Sequence, residues 1–173
     1  MRLSEYLDRV ESNQTEDLTG IPVPEEAAES FVARVRSEIA EVQTATGVSD
    51  FVVDTDLAPN IGGQYNLQTK TASINAQALL DEEQRGHILM HEGGHALADR
   101  KADQALTDID LIEGLNEAWT IRKQSGERIG AYDTEVSRVK SFATQTFGSV
   151  TRVLEMYEKG EHAEIQEAWE EFV

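Results

Sequence analysis

The sequence predicts an α+β domain, and three observations carry that prediction. Short β-branched and aromatic runs are confined to a window around residues 51–75. Apolar residues recur at helical spacing on both sides of that window, and turn-forming residues separate the two regimes. A chain of 173 residues, 39% of them hydrophobic, is enough for one domain with one core, so residues 1–173 read as a single domain.

Taken in order, residues 1–26 read as an N-terminal arm, because residues 11–26 gather Ser, Thr, Asn, Gly20, Pro22 and Pro24. From about Glu25 the pattern turns helical: Ala27, Phe31, Val35, Ile39 and Val42 form an apolar stripe, and Gly47 is a stop signal. Phe51-Val52-Val53 is a strand candidate. Tyr65 and Leu67, then Ala72 and Ile74, alternate with polar residues around a turn near Thr69-Lys70, which predicts two short antiparallel strands. Together these make a small antiparallel or mixed sheet.

Everything after Asp81 reads as helix. Asp81 with Gln84 resembles a capping box, and Leu79, Leu80, Ile88, Leu89, Ala96 and Leu97 supply apolar contacts. A second helix spans roughly Thr107 to Lys123, with Leu111, Leu115, Ala118 and Trp119 on one side. A third carries Val136, Val139, Ala143, Phe147, Val150, Leu154 and Tyr157 at close to a seven-residue repeat. A short last helix holds Ile165, Trp169 and Phe172, so residues 131–173 are expected to be C-terminal helices.

Composition narrows the function classes. The absence of cysteine removes disulfides, thiolate metal sites and cysteine nucleophiles, so any metal must be held by His, Asp or Glu. No run of 18 apolar residues exists, and the first ten residues lack an apolar signal core; a cytoplasmic location is expected. A net charge of −18, from 33 acidic and 15 basic residues, repels nucleic-acid phosphates. The acids spread along the chain rather than cluster, which points to a halophile whose counter-ions screen the self-repulsion.

The chemistry-bearing stretch is His91-Glu92-Gly93-Gly94-His95, inside the helix that Asp81 opens. Histidines four residues apart lie on one helical face, so their rings can converge on one ion. Zinc takes imidazole nitrogen at about 2.0–2.1 Å in tetrahedral geometry. Glu92 is rotated about 100° from His91, so its carboxylate can take the proton of a water activated at the ion. The flanks Ile88-Leu89-Met90 and Ala96-Leu97-Ala98 are apolar, as a buried helix requires, and two of the chain's 4 histidines fall in the pattern. Gly93-Gly94 costs about 1 kcal/mol per residue against Ala, which points to another backbone or a substrate passing close.

A catalytic zinc needs three protein ligands and one open position. His87 lies one turn before His91, but three successive turns of one helix span about 12 Å, too far for one ion. It therefore reads as a core or surface side chain. Glu113 and Glu117 are better candidates: they share a helical face, and a connector near Lys101–Leu106 lets their helix fold back beside the first. Spacing alone does not choose between them.

His91 to His95, followed 22 residues later by the glutamate of Asn116-Glu117-Ala118-Trp119, resembles the gluzincin metallopeptidases, the minimal minigluzincins above all. The resemblance covers roughly residues 51–125. It implies a zincin-like fold, Zn2+ as cofactor, a peptide or protein substrate and peptide-bond hydrolysis. It also implies Glu92 as general base and His91, His95 and Glu117 as metal ligands, with Glu113 as fallback because the Glu117 spacing is slightly longer than usual. Thr71-Ala72-Ser73-Ile74-Asn75 would then be the edge strand that lines the cleft and pairs with an extended substrate. No downstream motif marks an oxyanion donor; Tyr132, Tyr157 and His162 are the candidates. The alternative is a zinc-binding regulatory or assembly module without catalysis, its metal joining two helices.

Overall fold

The computed structural model describes residues 1–16, 18–24, 27–124 and 132–173. The elements run α1 (Leu3–Glu11), α2 (Ala28–Thr46), β1 (Val52–Asp54), β2 (Gly63–Asn66), β3 (Thr71–Asn75), a 3-10 turn (Ala78–Leu80), α3 (Arg85–Lys101), α4 (Ile109–Lys123), α5 (Asp133–Phe147), α6 (Val150–Lys159) and α7 (His162–Phe172). The class is α+β, as expected. Among the described residues no helix is long and apolar enough to cross a membrane. Backbone contacts divide the chain into two compact units, Met1–Ala96 and Leu97–Val173, with the boundary inside α3. The limits that the sequence suggests at Glu25, residue 125 and residue 131 lie outside the described residues.

In the first unit, part of the expected arm is a core helix. Leu3, Tyr6, Leu7 and Val10 repeat at helical spacing and are all buried. Leu3 N donates to Phe51 O at 2.7 Å, Val53 N donates to Met1 O at 2.8 Å, and Tyr6 Oη donates to Pro22 O at 2.8 Å. Charged residues between the apolar positions make this stretch look patternless when read by alternation. α2 ends as its sequence dictates, on Gly47 in the left-handed region at φ 78°.

The sheet is mixed, in the order β1-β3-β2. β3 runs parallel to β1 (Val53 opposite Ile74) and antiparallel to β2 (Gln64 opposite Ser73). The expectation that Thr71–Asn75 is an edge strand is therefore wrong. β3 is central, which explains why Ala72, Ser73, Ile74 and Asn75 are buried in succession. The outer strands are β1 and β2. Asn75 also fixes the chain entering β2: its Nδ2 donates to Ala58 O at 3.1 Å and to Ile61 O at 2.9 Å.

In the second unit, α4 and α5 cross closely at Gly114, where a Cβ would stand 2.6 Å from Glu135 O. The single third helix expected from the heptad-like repeat is two helices. Gly148 ends α5 at φ 73°, and the Ser149 hydroxyl accepts from Arg152 N to start α6. Phe142 packs edge-on against Phe147, Trp169 and Phe172, so the apolar repeat continues in space although the helix does not. Asp103 caps α7, accepting from His162 N and Ala163 N at 2.9 Å each.

Candidate metal and catalytic site

The histidine-bearing helix begins at a fixed point. Asp81 Oδ1 accepts from Glu83 N and Gln84 N at 3.1 Å each, the local signal the sequence offered. A stronger anchor had no such signal. The Arg85 guanidinium, 1% exposed, grips both carboxylate oxygens of Glu38 at 2.7 and 2.9 Å and donates to Leu79 O at 3.0 Å. It also lies 5.3 Å from the Phe31 ring centroid. A bidentate pair between residues 47 apart locks the first turn of α3 to α2.

One turn and a half further on, His91 and His95 converge. Their Nε2 atoms are 3.1 Å apart and their ring centroids 4.8 Å apart, nearly perpendicular. His91 is buried and His95 half-buried. His87 stacks on the other side of His91, with ring centroids 6.4 Å apart, and is buried. Glu92 is 7% exposed. Gly93 has a structural reason: a Cβ there would stand 2.7 Å from Val42 Cγ1 and 3.2 Å from Thr46 Cγ2. The close approach foreseen at the glycine pair is, for Gly93, made by α2 side chains.

The acidic candidates belong to α4. Glu117 is 2% exposed and Glu113 half-buried, on the helical face they share. Asn116 is fully buried, and its Oδ1 accepts from Tyr157 Oη at 3.2 Å. Burial pushes the Tyr157 phenol well above its ordinary range, and the neighbouring Glu113 carboxylate adds to the shift.

Of the three oxyanion candidates, Tyr157 commits its hydroxyl to Asn116, and His162 stacks on the Tyr157 ring at 5.1 Å. His162 Nε2 donates to Tyr157 O at 3.1 Å. Both are buried within the second unit. Tyr132 is half-buried at the N-cap of α5. Comparison of the chain with protein-family models, curated proteins and solved structures finds no match.

Proposed function

We propose that this protein is a zinc-dependent metallopeptidase of the gluzincin type. The observation that carries the reading is the 3.1 Å between His91 Nε2 and His95 Nε2. Two nitrogens bound to one tetrahedral zinc stand about 3.3 Å apart, so the pair fits an ion with almost no side-chain movement. Bound there, zinc supplies Lewis acidity toward a peptide carbonyl and makes a nearby water acidic.

The remaining chemistry belongs to the chain. Glu92, one residue after His91 and largely shielded from solvent, takes a proton from water and delivers it to the leaving amine. In this reading α4 supplies the third ligand, Glu117. A carboxylate that deep stays charged beside cations or strong donors, and a divalent ion is of that kind. Glu113 is the alternative, and one observation favours it. It is half-buried like His95, as a ligand beside an open coordination corner should be, and Glu117 would then orient His91 through its second nitrogen. Of the two outer strands, β2 is the one packed on Glu92, so an extended peptide would add to β2. A saline cytoplasm is the setting that the −18 charge favours.

A non-catalytic zinc module is the second reading. It is favoured by the presence of two glutamates on one face of α4, enough to close the fourth position. The deciding experiment measures zinc content and peptide-library cleavage for the wild type and for Glu92→Gln. Zinc retained with cleavage abolished is the expected result. Unchanged hydrolysis would sink the mechanism, and zinc without cleavage by the wild type would leave only the module.

A further inference from the structure

We infer that Gly63 is a positioning residue for Glu92: its missing side chain is the space that holds the general base in line. The inference rests on the peptidase reading for its kinetic consequence but not for its geometry. A Cβ on Gly63 would stand 2.8 Å from Glu92 Cγ, 2.8 Å from Ile88 Cγ2 and 2.8 Å from Ser73 O. All three separations are shorter than real Cβ contacts. Its φ is not in the left-handed region, so backbone freedom does not explain the glycine. Space does.

The surroundings cannot yield cheaply. Ser73 O belongs to the central strand, whose hydroxyl is bonded to Gln64 O at 3.1 Å. On the chain side, Asn75 N donates to Gly62 O at 2.8 Å, and the Asn75 amide grips the carbonyls of Ala58 and Ile61. The strand is thus held from behind, with the Glu92 methylene standing where a Gly63 side chain would begin. With strand and carbonyl fixed, an added methyl group moves the Glu92 side chain. The neighbouring Gly62 differs: the three atoms nearest a Cβ there all belong to Ile88, the closest being the terminal Cδ1 at 2.6 Å, which can rotate away. The two glycines therefore form a matched pair, one touching the general base and one not.

The test compares Gly63→Ala with Gly62→Ala, both zinc-loaded, on the same peptide substrate. Gly63→Ala is expected to keep its zinc and lower kcat about 10²-fold, the cost of a misplacement of about 1 Å. KM is expected to change less than kcat, because the main loss falls on the chemical step rather than on binding to the strand. Gly62→Ala is expected to keep wild-type kcat. Equal losses in the two variants, or a wild-type kcat in Gly63→Ala, would overturn the assignment.

A second readout needs no activity. In the zinc-free protein, NMR should show a cross-peak between Gly63 Hα and Glu92 Hγ. The Glu92 methylene resonance should move in Gly63→Ala and stay in place in Gly62→Ala; no movement in Gly63→Ala overturns the contact. A wild type that cleaves nothing would end the peptidase reading, and the NMR comparison would still decide this one. If Gly63→Ala alone does not fold, the double variant with Ile88→Ala opens the isoleucine side and keeps the Glu92 contact.

Discussion

Two histidine clusters in this chain show opposite uses of a buried imidazole. In the second unit, His162 lies flat on Tyr157 and donates to a backbone carbonyl, and the Tyr157 hydroxyl is closed on Asn116. On α3, His91 and His95 stand edge to face with their Nε2 atoms 3.1 Å apart. The first cluster is stacked and bonded to its own backbone, whereas in the second the two ring nitrogens meet each other, the pair proposed above as metal ligands. Histidine content would not have separated them; spacing on a helix does.

The largest expected effect breaks the comparison at its centre. His91→Ala and His95→Ala should each abolish stoichiometric zinc binding, whereas His162→Ala should keep the zinc and lower stability; metal analysis with urea titration reads both. Next, Glu117→Gln and Glu113→Gln should differ in zinc affinity. The ligand's loss removes tight binding, and loss of a group that only orients His91 costs about 10–100-fold. Competition with a chelator distinguishes the two, and equal small effects would remove α4 from the metal site.

Smaller effects sharpen the closed cluster. Tyr157→Phe leaves Asn116 Oδ1 buried without its phenol donor and should cost about 1–3 kcal/mol by denaturant unfolding. His162 supplies a pH signature. Burial holds its pKa below the ordinary histidine value, against the pull of the Tyr157 carbonyl and Asp103. The unfolded chain therefore binds the proton more readily than the folded one. Stability is full above the ordinary value and falls as pH drops from there towards the lower folded value. Zinc-free His162→Gln should show a flatter decline over that window in urea midpoints. The smallest effect concerns the whole surface: with a net charge of −18, the thermal midpoint should rise with salt in either cluster's variants as in the wild type.

Much of the fold was legible because period and punctuation agreed. α2 ran on its stripe to Gly47, the β-branched window gave three strands, and α4 and α7 lay where their apolar faces predicted. The misses have physical reasons. α1 is short, and its charged spacers hide a helical repeat of Leu3, Tyr6, Leu7 and Val10 whose burial depends on tertiary packing. The α5–α6 break was masked because the aromatic cluster preserves the repeat through Gly148-Ser149. Strand order is a non-local property, so β3's central place could not be read from its residues. At the candidate site, the histidine pair was legible because both partners share one helix. The Arg85–Glu38 anchor was not, since no local pattern announces a pairing across 47 residues. Glu113 and Glu117 could not be separated in the sequence for a simpler reason: a spacing of four gives them the same face.

The helix at Leu3–Glu11 carries a practical lesson for anyone reshaping this protein. Trimming the chain back to its strands and histidine segment would discard what looks like a dispensable leader. The cut would strip Phe51 O and Val53 N of the partners they find in Leu3 N and Met1 O, and would bare the apolar wall beneath them. A shortened version should emerge from expression as aggregate rather than as a folded domain.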